Sequence, residues 1–149
     1  MGEPRIVYAG PALVVVDKPH GWPSQRTREG RQGVFEWVRE HHPTASLHHR
    51  LDQPASGLML LGLDPAADAA LTEAFRAHDV ERTYLAVAGG RVTGGTWEGA
   101  VDGRPARTRV AVLGQANGFS ALRVQLETGR KHQIRLHAAA AGHPLVGDR

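Results

Sequence analysis

Two clusters of residues in this chain have the types and spacing for chemistry. The first is His49-Arg50-Leu51-Asp52-Gln53-Pro54-Ala55-Ser56-Gly57, a charged pair, Arg50 and Asp52, followed by a Pro/Ser/Gly turn. The apolar run from Leu58 to Leu63 comes directly behind it. Charged turn residues set hard against a buried strand fix a carboxylate at the rim of a core. Asp52 also has a plainer use, because aspartate caps turns through its own hydrogen bonds. The second cluster is Arg130, Lys131, His132 and Arg135, which opens the last helix expected in the chain. Lys131 and Arg135 are four apart and His132 and Arg135 three apart, so they share a helix face. Cations at a helix N-terminus meet the positive end of the macrodipole, at a cost of a few tenths to about 1 kcal/mol each. An anion placed beside them offsets that cost. The candidates are a nucleic-acid phosphate, a nucleotide or a buried carboxylate such as Asp52. A solvated basic face is the plain alternative.

These clusters must be positioned by the rest of a 149-residue chain, a length that suits one domain with a real core. Its 41% hydrophobic and 22% charged residues are ordinary for a globular protein. No apolar run reaches the length of a membrane span, and the first residues do not read as a signal peptide, so the cytoplasm is the default location. There is no cysteine, which excludes disulfides and thiolate metal sites. The formal charge of +3 permits a polyanionic partner without requiring one.

Arg5 to Tyr8 and Leu13 to Val16 are β-rich runs separated by a turn at Ala9-Gly10-Pro11. Two prolines and a glycine in Asp17-Lys18-Pro19-His20-Gly21-Trp22-Pro23 then break regular structure, and an Arg-rich loop follows. Val34, Trp37 and Val38 mark one face of a helix over 34–42, ended by Pro43. Asp64-Pro65 is a helix start, with Asp as N-cap and Pro at the first helical position. Glu81 to Val87 reads as a strand, and the glycine-rich stretch 89–103 as loop or hairpin end. Thr108 to Leu113 and Ala121 to Glu127 read as paired strands joined at Gln115-Ala116-Asn117-Gly118. Lys131 to Ala141 is the last helix, stopped by Gly142 and Pro144. The sum is an α+β domain with a mixed, largely antiparallel sheet and flanking helices. The adjacent histidine pairs (41-42 and 48-49) and the pair His132 and His137 do not share a face at ligand spacing, so no metal site is expected.

The motifs carry a further signal. Leu13-Val14-Val15-Val16-Asp17-Lys18-Pro19-His20-Gly21, His49-Arg50-Leu51-Asp52 with Ser56-Gly57, Glu81-Arg82-Thr83-Tyr84-Leu85-Ala86, and Gly129 to Arg135 with Gly142-His143-Pro144 and Gly147-Asp148 occur in that order. Together they resemble, nearly end to end, the RluA-type family of RNA pseudouridine synthases. The resemblance implies the pseudouridine synthase fold and a cofactor-free isomerase acting on a uridine of ribosomal or transfer RNA. By that analogy Asp52 is the indispensable carboxylate, Arg135 its charged partner, and Tyr84 the ring against the uracil. Arg50 would hold the flipped nucleotide and Ile134 would line the base pocket. Lys18, Arg130, Lys131 and His132, with Arg26, Arg28 and Arg31, would supply contacts to the RNA. Extruding the base costs a few kcal/mol in a duplex, which such contacts recover.

The resemblance further implies a single catalytic domain over 1–149, with no S4-like module ahead of it and without the family's last C-terminal strand. A monomer with no obligatory protein partner and no membrane association is expected. The alternative is an RNA-binding or RNA-remodelling protein on the same scaffold with weak or no catalysis, against which the retained Asp52, Tyr84 and Arg135 argue.

Overall fold

The computed structural model describes residues 2–148. By contacts the chain falls into two compact units, one ending at Asp79 and the other beginning at Val80.

The first unit holds an antiparallel sheet in the order β1-β2-β4-β3, formed by β1 (Arg5–Ala9), β2 (Leu13–Lys18), β3 (Ser46–Leu47) and β4 (Gly57–Gly62). The alternation of a strand explains its core. Val14, Val16 and Lys18 lie on one face of β2 and are all fully buried, opposite Leu61, Met59 and Gly57 of β4. Lys18 is thus carried inside by the same parity that buries the valines. Two helices complete the unit. α1 is the short Val34–Arg39, and Gly33 ahead of it donates its N–H to Glu36 Oε2 at 3.1 Å. α2, Pro65–Arg76, begins as the sequence indicated: Asp64 Oδ1 accepts the Ala67 N–H at 2.8 Å and Pro65 opens the first turn.

The second unit is a four-stranded antiparallel sheet in the order β5-β8-β7-β6, with α3 (Gln133–Ala140) packed against β6 and β7. The strands are β5 (Arg82–Gly89), β6 (Gly95–Val101), β7 (Arg104–Ala116) and β8 (Phe119–Leu126). Asn117 and Gly118 both take positive φ, 52° and 79°, as a two-residue hairpin turn with the twist of its strands requires. The buried core is Ala88, Val92, Val110, Leu122 and Val124, with Tyr84, Trp97, Ile134 and Leu145 packed against it.

Two sequence expectations are corrected here. Residues 95–101 are not loop: they form β6, paired with β7 through a turn at Asp102-Gly103, where both residues have positive φ. The last helix starts at Gln133 rather than Lys131, because His132 adopts a left-handed conformation, φ 56°, that ends the preceding loop. Arg130 and Lys131 therefore lie outside the helix and do not bear on its dipole as proposed from the sequence. No helix among the described residues is long and apolar enough to cross a membrane.

Candidate active site

In the first unit the Asp52 turn is clamped from below. Ser24, buried, donates its hydroxyl to the Leu51 carbonyl at 2.6 Å, and its oxygen accepts the Leu51 N–H at 2.9 Å. The Gly21 N–H donates to the Gln53 carbonyl at 2.9 Å, and the Gln53 amide donates to the Gly21 carbonyl at 3.2 Å. His20 Nδ1 donates to the Pro54 carbonyl at 2.6 Å. The turn itself closes through the Ala55 N–H on the Asp52 carbonyl at 3.0 Å. Residues 51, 53 and 54 are thus each tied to the segment 20–24, and Asp52 is displayed between them, half-buried. Upstream, His49 Nε2 accepts the Leu60 N–H at 2.9 Å while its ring stacks on Phe75. Arg50 is exposed.

Lys18 is the centre of this clamp. Its ammonium donates to the carbonyls of Pro19, Trp22 and Gln53 at 3.2, 2.6 and 3.2 Å. Burial pulls its pKa down to about 8, and the Asp52 carboxylate holds it up against that pull. The phosphate contact expected of Lys18 needs an exposed side chain, and Lys18 is fully buried with its donors turned to backbone. Its setting is that of a strut carrying positive charge to the underside of the Asp52 turn.

That setting has a consequence for pH dependence. An unfolded lysine keeps its proton to about 10.5, whereas this one releases it near 8. Between those values the unfolded chain binds more protons, so this contribution to stability rises with pH. The unfolding free energy of the wild type should therefore gain on that of Lys18→Met between about pH 8 and 10.5. A difference that stays flat across that window would place the ammonium in water. At pH 7 the variant removes one donor from each of three carbonyls, of which those of Pro19 and Gln53 keep a backbone N–H, at a cost of about 1–3 kcal/mol.

In the second unit, Tyr84 on β5 and Ile134 on α3 pack against the same buried cluster. The basic loop ahead of α3 is set by Gln133, which satisfies its whole amide. Its Oε1 accepts the Arg130 N–H at 3.1 Å and the Thr128 hydroxyl at 2.8 Å. Its Nε2 donates to the Arg107 carbonyl and to Thr108 Oγ1, each at 2.9 Å. Lys131 is exposed, and Arg130 Nε is buried with no hydrogen-bond partner among the described residues. Arg135, in the first turn of α3, has Nη1 3.1 Å from His132 Nδ1 and Nε 2.6 Å from Asp148 Oδ1. Sequence reasoning named Arg130, His132 and Arg135 but missed Gln133 and Asp148 as the groups that fix them. Their only sequence signal is their place inside the two closing motifs. Among the described residues no group of three or more His, Asp or Glu is placed to hold a metal.

Residues 12–140 match the family described as RNA pseudouridylate synthase, and the chain belongs to that family. It is 34% identical to the dual-specificity RNA pseudouridine synthase RluA of Escherichia coli K12, over 97% of this chain and 75% of that protein. It is 33% identical to the ribosomal large subunit pseudouridine synthase D of Yersinia pestis, over 96% of this chain and 51% of that protein. The chain thus spans about half the length of several curated relatives it matches. Among solved structures, human RNA pseudouridylate synthase domain containing 1 superimposes with a TM-score of 0.82 at 26% identity, covering 98% of this chain and 68% of that one. The human domain containing 4 shares the fold, with a TM-score of 0.80 at 24% identity, over 96% and 67%.

Proposed function

We propose that this chain converts specific uridines of ribosomal or transfer RNA to pseudouridine, with Asp52 as the essential carboxylate. The observation that carries the reading is the clamp under Asp52: three neighbours of this half-buried residue are fixed, and a buried ammonium lies close enough to feel its carboxylate. A turn that needed only a cap would not require a buried cation, which is costly to desolvate. Pre-fixed geometry is what a carboxylate aimed at a sugar carbon demands.

In the reaction the bond from C1′ to N1 of uracil breaks and a bond from C1′ to C5 forms. N1 gains a proton and C5 loses one, so no atom or electron is supplied from outside and no cofactor is needed. Asp52 acts either by attack on the sugar or by removal of a sugar proton. Tyr84 stacks on the extruded base and Ile134 lines its pocket. Arg135 supplies positive charge for the reaction, and Arg50 holds the displaced nucleotide. Arg130, Lys131 and His132 meet the RNA backbone. The protein works in the cytoplasm as a monomer without an obligatory protein partner.

The test is nucleoside analysis of transcribed ribosomal and transfer RNA after incubation with the chain. Pseudouridine in the digest supports the reading. RNA retained on the protein with uridine intact would favour a binding or remodelling role instead.

A further inference from the structure

The residues after α3 form a strap across the second unit. Gly142, with φ 80°, ends the helix, and the His143 N–H returns to the Ala138 carbonyl at 2.8 Å. The strap then pairs along β5. The Gly89 N–H donates to the Pro144 carbonyl at 2.9 Å, the Val146 N–H donates to the Val87 carbonyl at 2.8 Å, and Leu145 bridges Ala88. His143 Nδ1 donates to the Gly89 carbonyl at 2.9 Å. A turn closed by the Asp148 N–H on the Leu145 carbonyl, at 3.2 Å, then brings the Asp148 carboxylate to Arg135.

The resulting ion pair, Nε to Oδ1 at 2.6 Å, joins side chains that are only 28% and 24% exposed. Exposed pairs on flexible stems do little, because water screens them and ordering them costs entropy. Here both side chains are largely shielded from water, one on a helix and the other on a strap fastened to a strand. With Nη1 beside His132, the guanidinium is held between that ring and the Asp148 carboxylate.

We propose that Asp148 is a positioning residue that orients the Arg135 guanidinium for the reaction. The proposal rests on the isomerase reading for the reaction, while the ion pair itself does not. Second carboxylates commonly fix a functional group in this way, and losing one typically costs about 10- to 100-fold where the group is a metal ligand.

Pseudouridine formation should be measured for the wild type, Asp148→Asn, Asp148→Glu, Arg135→Ala and the double variant Asp148→Asn/Arg135→Ala. Asp148→Asn should lower kcat roughly tenfold with KM for RNA within about twofold. Asp148→Glu should recover most of it. In the Arg135→Ala background Asp148→Asn should bring no further loss, as expected of residues acting through one another. An equal loss in that background, or a rise in KM alone, would overturn the proposal. The Arg135 Nε–H resonance, assigned by its disappearance in Arg135→Lys, gives a readout independent of turnover. It should shift in Asp148→Asn, and an unmoved resonance would also overturn the proposal. A shifted resonance in a protein that makes no pseudouridine would instead count against the isomerase reading.

Discussion

Asp52→Asn is expected to lower pseudouridine formation by on the order of 10⁴-fold or more, the scale seen when a reacting group is deleted from a preorganised site. RNA affinity should stay the same or rise slightly. Phosphate contacts dominate such affinity, and the substitution removes a negative charge that repels the backbone. The fold should survive, because the hydrogen bonds that fix the turn fall on the backbone around residue 52, and asparagine keeps the size of the side chain. Ser24 holds Leu51, Lys18 and Gly21 hold the Gln53 carbonyl, and His20 holds that of Pro54. Kinetics and a binding isotherm on the same two proteins check both halves. Loss of RNA binding in step with activity would mean that Asp52 organises the surface instead of reacting.

Gly33→Ala is the second large effect, and it acts on stability. The φ of Gly33, −105°, suits any residue, so the requirement is space and not conformation. A Cβ there would lie 2.5 Å from Gln25 Cα and 2.7 Å from Gln25 N, with the Gln25 carbonyl carbon closer still. These are backbone atoms and cannot swing aside. The segment they belong to accepts the Val34 N–H on Pro23 O and the Phe35 N–H on Ser24 O, both at 3.0 Å. Moving it strains the start of α1 and the Ser24 bracket under the Asp52 turn together. A loss of about 3 kcal/mol is expected for overpacking of this kind, equivalent to roughly a 10 °C fall in Tm for a chain of this size. Thermal unfolding followed by circular dichroism checks it. Gly114→Ala, whose Cβ would meet nothing within 4 Å, is the comparison and should stay within about 1 kcal/mol. Equal behaviour of the two variants would contradict the tight approach at Gly33.

Much of the fold was legible because the chain marks its elements locally. Asp64-Pro65 announced α2 and Asn117-Gly118 announced the β7–β8 hairpin, since each residue type suits only a few backbone conformations. The β6–β7 hairpin went unread although Asp102-Gly103 is the same kind of turn. Its strand, Gly95 to Val101, contains two glycines and lacks apolar alternation. Pairing with β7 holds it, and pairing is not written in one strand's own sequence. The start of α3 was misjudged for a related reason. Its period continues back through Lys131, but Gln133 reaches back to the Arg130 N–H and to β7, and the loop takes that geometry instead.

The site residues were named by motif, and their supports were not. The burial of Lys18 follows from counting by twos along Leu13–Lys18, so its role was readable from strand parity. Ser24 beneath Leu51 was not, because 27 residues separate them and the contact exists only once the loops fold. Asp148 on Arg135 is of the same sort. The sequence therefore pointed to the groups that would do chemistry, while the bonds that hold them still are tertiary.

The most direct measurement of the central claim is release of tritium from C5-labelled uridine in RNA transcribed without pseudouridine. Forming the C1′–C5 bond must expel the hydrogen on C5, and binding alone never does. Time-dependent release by the wild-type chain is predicted. A folded chain that binds this RNA and releases no tritium would contradict the claim.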